Sequence, residues 1–262
     1  MNQVAYAVVK LARDSQRPTG LDYIQNIFQD FVELHGDRRY ADDPAIVGGI
    51  ARLGEMSVTV VAIEKGHTAK QRSFRNFGAP HPEGYRKALR LMKQAEKFGR
   101  PVVCFVDTSG ANCGIGAEER GQGQAIAENL MEMSTLCVPI ISILIGEGGS
   151  GGALALAVAD QVWMLCNAVY SVISPEGCAS ILWKDAKKAE EAAACLKLTA
   201  KDALGLGVVD RILPELEIGK KPFYERIRTA LEEELSKLSK DADLIAKRYD
   251  RFRRIGQVKE RI

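Results

Sequence analysis

Apolar positions in this chain follow two periods, short near-continuous runs and longer stretches with one apolar residue in every three or four. Residues 138–145 are rich in Ile and Val, too short for an ordinary helix and too continuous for a strand with one wet face. They predict a strand covered on both sides. Ile46–Leu53 and residues 57–63 flank Gly54-Glu55, the pattern of two strands joined by a tight turn. Residues 102–106, 162–165, 169–173 and 208–213 read as further short strands.

Between these runs the period lengthens. Residues 85–98 set Leu89, Met92, Ala95 and Phe98 among Lys and Arg, an amphipathic helix that Gly99 and Pro101 end. Residues 118–136 and 153–159 predict two more helices, and Ser174 and Pro175 open another as cap and first residue. Helical spacing continues through 187–204. Residues 1–35 carry helical spacing around a break at Arg17-Pro18-Thr19-Gly20, with Thr19 or Asp22 able to cap a helix through Leu34. The order strand, Gly-rich turn, helix occurs twice in succession, which predicts an α/β sheet with its active groups at the strand ends. The expected organisation is a helical segment over 1–40, a core over 41–215 and a charged helical extension over 216–262.

Composition narrows the class. With 262 residues and 46% hydrophobic content, the chain can bury one large α/β core. Its net charge of +2 balances 36 basic against 34 acidic residues, so neither nucleic acid nor an anionic membrane is expected as principal partner. The first residues lack a charged start followed by an apolar run, and no stretch reaches the roughly 20 apolar residues of a membrane span. A cytoplasmic, soluble protein is expected. Cys104, Cys113, Cys137, Cys166, Cys178 and Cys195 form no C-x-x-C pair, which removes a zinc ribbon and a redox motif; most are expected in the core as reduced thiols, with Cys113 near a site.

The chemistry concentrates in residues 146–152, GEGGSGG, where five glycines in seven residues follow a strand and precede a helix. Three familiar motifs overlap there. Gly146, Gly148 and Gly151 match G-x-G-x-x-G, yet the next strand ends Met164-Leu165-Cys166-Asn167 without the carboxylate that would bind a ribose. Gly148, Ser150 and Gly152 match G-x-S-x-G, which needs a histidine after the serine, whereas His35, His67 and His81 all precede it. The order His81, Asp107, Ser150 belongs to an all-β double barrel that nothing else in the chain suggests. A phosphate loop would need a lysine, and the turn has none. What remains is a backbone oxyanion site made of amides at a helix start. Glycines that merely allow close packing are the plain alternative, which one or two would satisfy. A second Gly-rich turn at 109–116 favours function. The basic loop with Lys65, His67, Lys70, Arg72 and Arg75 is either a phosphate-binding loop or a solvated surface.

Longer matches are more specific. RPTGLDYI, DRRYADDPAIVGGIARL, RNFGAPHPEGYRKALRLM, GIGAEERGQGQAIAENL, IGEGGSGGALALAVAD and YSVISPEGCASILWKD, spread from Gln16 to Asp210, resemble the α subunit of the acetyl-CoA carboxylase carboxyltransferase, in the crotonase superfamily. The resemblance implies a ClpP/crotonase-like fold of repeated strand-turn-helix units with flanking helices. It implies carboxyl transfer from carboxybiotin, tethered to a separate carrier protein, to acetyl-CoA, giving malonyl-CoA for fatty-acid synthesis. The biotin would be charged by a separate biotin carboxylase. The implied assembly is α2β2, with zinc and most of the CoA site on the β subunit and no metal in this chain.

On that resemblance the oxyanion donors fall on Gly151 and Gly152, whose amides would hold the biotin ureido oxygen. Gly148, Gly149, Ser150, Ser109, Gly110 and Ala111 would shape the carboxybiotin pocket, and Lys65, Lys70, Arg72 and Arg75 would meet CoA phosphate. The segment Asp107-Thr108-Ser109-Gly110-Ala111-Asn112-Cys113-Gly114 lacks two prolines and a tyrosine common in the family, which predicts a less rigid loop. Glu215-Leu216-Glu217-Ile218-Gly219 also departs from the family pattern, and a long N-terminal helical hairpin is missing. Two other readings make different demands. A crotonase-fold acyl-CoA hydratase, isomerase or hydrolase would use Glu147 or Glu176 as its carboxylate, and a non-catalytic assembly subunit would need none of these residues.

Overall fold

The computed structural model describes residues 2–257. The chain begins with α1 (Asn2–Ala12) and α2 (Gly20–Ile27), followed by β1 (Gln29–Glu33), β2 (Ile46–Leu53) and β3 (Met56–Ile63). Then come α3 (Ala69–Phe74), α4 (Pro82–Lys97), β4 (Val102–Thr108), α5 (Ile115–Glu119), α6 (Gln122–Thr135), β5 (Ile140–Gly149) and α7 (Ser150–Leu154). The remainder is β6 (Gln161–Leu165), β7 (Val169–Ser171), α8 (Pro175–Trp183), α9 (Ala189–Leu196), α10 (Ala200–Gly205), β8 (Arg211–Leu213), α11 (Lys221–Leu238) and α12 (Leu244–Arg254).

Eight strands form one sheet, seven of them in the order β1-β2-β3-β4-β5-β6-β8 and β7 paired to β5 off this path. The first two pairings are antiparallel and those from β3 to β8 parallel. Every residue of β4 is buried, as its unbroken apolar run requires for a strand covered on both faces. β5 changes partner along its length: Ile141 to Leu144 pair with β6, while Glu147 to Gly149 pair with β7. The far end of β5 therefore lies between β4 and β7 at the carboxyl edge of the sheet.

Four local expectations change. The helix expected through Leu34 stops at Ile27, because Phe28 is extended and Gln29–Glu33 pair with β2 at the sheet edge. The glycine turn is mostly strand, since β5 runs through Gly149. The helix expected over 153–159 is instead a single turn, Ser150–Leu154. The long helix expected over 118–136 divides into α5 and α6 at Gly121, which takes φ 81. The Gly54 hairpin forms as expected, with Leu53 opposite Met56 and Gly54 at φ 57. Of the six cysteines only Cys104 and Cys178 are buried; Cys113, Cys137 and Cys195 are exposed, so the expectation that most are core does not hold.

Long polar side chains tie the elements together. Lys87 of α4 is fully buried, and its ammonium donates to Asp42 Oδ1 at 2.6 Å and to the Asp43 carbonyl at 2.8 Å. Burial raises the Asp42 carboxyl, but the bonds from Lys87, the Gly36 amide and His35 outweigh it and hold the pKa at about 2 against an ordinary 3.8. Between these values the unfolded chain binds the proton that the folded one releases, so stability rises with pH there. The contribution is present above the ordinary value and is lost as pH falls through the folded one. Denaturant midpoints are expected to fall across this window, and less steeply in Asp42→Asn. An equal fall in parent and variant would contradict the assignment.

Candidate active site

The two Gly-rich segments meet at the ends of β4 and β5. Thr108 lies opposite Gly148 in the sheet, and the Thr108 hydroxyl both donates to the Gly110 carbonyl (2.8 Å) and accepts from its amide (3.0 Å). Asn112 donates its amide to the Pro80 carbonyl at 3.0 Å, and Gly114 donates to Asn112 Oδ1 at 2.8 Å. The segment that lacks the family's prolines is thus held by its own hydrogen bonds.

The glycines of 146–152 divide by what a β-carbon would meet. At Gly146 it would lie 2.4 Å from Asp107 Oδ1, at Gly148 2.2 Å from Leu144 Cδ2, at Gly149 2.2 Å from the Ser109 carbonyl oxygen, and at Gly152 2.5 Å from the Ala111 amide. These four are required by packing. At Gly151 the nearest atom is Ile126 Cγ2 at 3.6 Å, an ordinary contact, and no left-handed angle demands glycine there. Gly151 borders a mainly apolar cavity of about 280 Å³, together with Ser150, Leu154, Tyr170, Ser171, Val172 and Val208. Burial pushes the Tyr170 phenol up to about 12, so it stays protonated at neutral pH.

Ser150 takes φ 55 and lies exposed at the start of α7. Among the described residues no hydrogen bond joins it to a histidine: His35 faces Asp42, His67 faces Asp22 and His81 faces Asn76. The serine is a turn residue here, without the base a nucleophile needs.

A second, smaller cavity of about 160 Å³ is lined by Arg13, Arg17, Lys65, Arg72, Asp107 and Glu147 among others. Asp107 accepts the Glu147 amide at 2.8 Å and pairs with Lys65 at 2.6 Å. Glu147 pairs with Arg13 at 2.7 Å and lies 3.6 Å from Lys65. Arg13 also reaches Glu176 at 2.8 Å, and that bond, with Tyr6 as a further donor, holds the Glu176 carboxyl below the usual range. Both carboxylates that a hydratase would use are engaged with cations, an arrangement unsuited to a proton donor. Arg17 spans the Ile145 carbonyl (2.8 Å) and Glu215 (2.8 Å), and Glu215 in turn accepts the Asn167 amide at 2.9 Å. The departure at Glu215 is therefore an internal tie beside the site.

Lys65 and Arg72 line this smaller cavity together, whereas Lys70 and Arg75 do not. Arg72 Nε donates to the Gly66 carbonyl, Arg75 donates to the Pro44 carbonyl, and Lys70 is exposed on α3. The structure brings Ser109, Gly110 and Ala111 against Gly149 and Gly152, and places Lys65 beside Asp107; it does not gather Lys65, Lys70, Arg72 and Arg75 onto one point. Tyr85, which reaches the Gly152 carbonyl of α7, and Asn129, which reaches the Ala155 carbonyl just after it, were absent from the sequence expectations. Asn129 carries a readable signal, a polar residue on the buried stripe Gln122, Ala125, Asn129, Met133. Among the described residues no group of three or more His, Cys, Asp or Glu is placed to hold a metal ion, and no helix is long and apolar enough to cross a membrane. A larger cavity of about 520 Å³ between β8 and α11 shares no residue with the glycine stretch.

Known proteins of the same shape include the transcarboxylase 12S core with bound methylmalonyl-coenzyme A, at a TM-score of 0.69 and 24% identity over 84% of this chain and 42% of that one. One chain of a Pseudomonas malonate decarboxylase hetero-tetramer in complex with coenzyme A gives a TM-score of 0.71 at 19% identity, over 90% of this chain and 98% of that one. At these identities the likeness concerns the fold, a crotonase-like carboxyltransferase fold of mixed sheet and flanking helices. Sequence relatives are nearer. The acetyl-coenzyme A carboxylase carboxyl transferase subunit alpha of Ruminiclostridium cellulolyticum is 61% identical over 97% of this chain and 98% of its own length. That of Streptococcus thermophilus is 60% identical over 97% and 100%. A fused beta/alpha carboxyl transferase of Natranaerobius thermophilus is 58% identical, matching 98% of this chain and 43% of the fusion. The family model described as acetyl co-enzyme A carboxylase carboxyltransferase-like matches residues 2–256, so the chain belongs to the acetyl-CoA carboxylase carboxyltransferase family, on its alpha side.

Proposed function

We propose that this chain is the α half of a biotin-dependent carboxyltransferase, moving a carboxyl group from carboxybiotin on a carrier protein to acetyl-CoA to give malonyl-CoA. The observation that carries the reading is Gly151, a glycine that neither packing nor backbone angle requires, opening onto an apolar cavity at the sheet's carboxyl edge. A position kept free of a side chain lets a ligand oxygen approach the amides. Gly151 and Gly152 then donate to the ureido oxygen as the N–carboxyl bond breaks and negative charge gathers there. Fixed donors aimed at developing charge lower the barrier, a single one by about 3 kcal/mol. The ureido nitrogen takes the proton from the acetyl methyl group, and the resulting enolate carbon bonds the released CO2.

The enolate oxygen needs its own donors, which this reading assigns to a β partner that also carries zinc and most of the CoA site. The fused beta/alpha relative supports a β partner. Biotin carboxylase, the α2β2 stoichiometry, contact of Lys65, Lys70, Arg72 or Arg75 with CoA phosphate, and a cytoplasmic location belong to the same proposal. Purified chain alone is expected to form no malonyl-CoA from carboxybiotin and acetyl-CoA, and addition of a zinc-containing β chain to restore turnover. Full turnover by the isolated chain would overturn the divided site.

A further inference from the structure

We infer that Tyr85 and Asn129 are positioning residues, which hold the carbonyl end of α7 and so aim the amides of Gly151 and Gly152. The inference rests on the carboxyl-transfer reading of those amides. α7 is one turn long, and the backbone tightens as soon as it ends. The Gly151 carbonyl keeps its helical partner, the Ala155 amide at 2.9 Å, but Leu156 donates to Ala153 and Ala157 to Leu154. The Gly152 carbonyl thus loses the amide four residues on. The Tyr85 hydroxyl, from α4, replaces it at 3.2 Å. Just beyond, Asn129 Nδ2 of α6 donates to the Ala155 carbonyl at 3.1 Å, and Ser142 Oγ of β5 to the Leu156 carbonyl at 2.6 Å. Side chains from three elements supply what the next turn of a longer helix would supply from its own backbone. So short a helix has little stability of its own, and the direction of its amides follows from these bonds.

Contact reinforces the point. A β-carbon on Gly152 would lie 2.9 Å from the Tyr85 hydroxyl oxygen as well as 2.5 Å from the Ala111 amide, so the phenol, α7 and the neighbouring turn meet at one place. Asn129 gives an independent argument. Its side chain is fully buried and its Oδ1 has no hydrogen-bond partner. An orphaned buried oxygen costs stability that a leucine of similar size would not lose. A residue that is poor for stability points to another role, and the hydrogen bond its side chain does make is to the chain leaving α7.

The test uses the chain reconstituted with its β partner, with malonyl-CoA formation from carboxylated carrier protein as the assay. Tyr85→Phe and Asn129→Leu are each expected to lower kcat by about tenfold to a hundredfold per folded molecule, as small misplacements of catalytic donors do. KM for the carrier should change little, because the donors act most strongly in the transition state. Asn129→Leu sheds the orphaned Oδ1 but strands the Ala155 carbonyl, so a modest fall in melting temperature is expected; the loss of kcat per folded molecule at unchanged KM is what a purely structural role does not produce. Parent-like kcat in either variant removes that residue from the role. Gly151→Val separates the two levels of argument: if it also turns over normally, the assignment of the amides fails first. If it alone loses turnover, only the positioning role fails.

Discussion

Gly151→Val is expected to reduce carboxyl transfer by at least about a hundredfold while the fold and the pairing with a β chain persist. The expectation follows from a contrast within one stretch of sequence. Valine at 146, 148, 149 or 152 would strike Asp107, Leu144, Ser109 or Ala111, so loss of activity there could reflect a broken fold. At 151 the β-carbon has only an ordinary contact with Ile126. On the carboxyl-transfer reading, the added methyls crowd the approach of the ligand oxygen to the two amides. Each lost donor of this kind typically costs 10²–10³ in kcat. The measurement is turnover of the reconstituted enzyme beside melting temperature and co-purification with the β chain. Parent-like turnover in a folded, assembled variant would remove the amides from the reaction.

Arg248→Met is expected to cost about 3–5 kcal/mol of stability, the largest effect foreseen for a single side chain outside the site. Arg248 belongs to α12, in the charged helical extension expected over 216–262, yet its guanidinium is fully buried. Nε and Nη2 grip both oxygens of Asp160 at 2.8 Å, Nη1 donates to the Met133 and Leu136 carbonyls, and Nη2 also donates to Val138. Asp160 accepts the Ile140 amide at 2.7 Å as well. Removing the arginine strands a buried carboxylate and three carbonyls, which is why one half of such a pair is costlier to lose than both. A double change, Arg248→Met with Asp160→Asn, should therefore be less destabilising than the sum of the single changes. For a chain of this size the single change should lower the melting temperature by roughly 2–4 °C per kcal/mol. An unchanged melting temperature would show that the tail is not docked through this residue.

Much of the fold was legible because its strands are local facts. A nearly continuous apolar run such as Ile140 to Ile145, broken only by Ser142, has one stable environment, a sheet covered on both faces, and the hairpin at Gly54 follows from turn chemistry alone. Long segment matches identified the family. Elimination by histidine order and by the missing lysine left a site of amides, and Ser150 accordingly has no base beside it.

Other features depended on partners distant in sequence. Residues 29–33 have helical spacing and become a strand because β2 offers an open edge, a gain that local propensity cannot register. Glycine looks the same at all five positions of 146–152. Only the placement of Asp107, Leu144, Ser109 and Ala111 separates the four that are tightly packed from the one where a β-carbon would fit. The length of α7, the burial of Arg248 and the tie from Arg17 to Glu215 were equally hidden. A side chain's hydrogen-bond partner is set by three-dimensional proximity, and these partners lie from 14 to 198 residues away. The sequence by itself thus determined the family and most of the core strands, whereas their order in the sheet came from the packed chain. The tertiary structure decided which glycines are tightly packed and which side chains satisfy the carbonyls around α7, because close approach and the satisfaction of buried polar groups are properties of the packed chain.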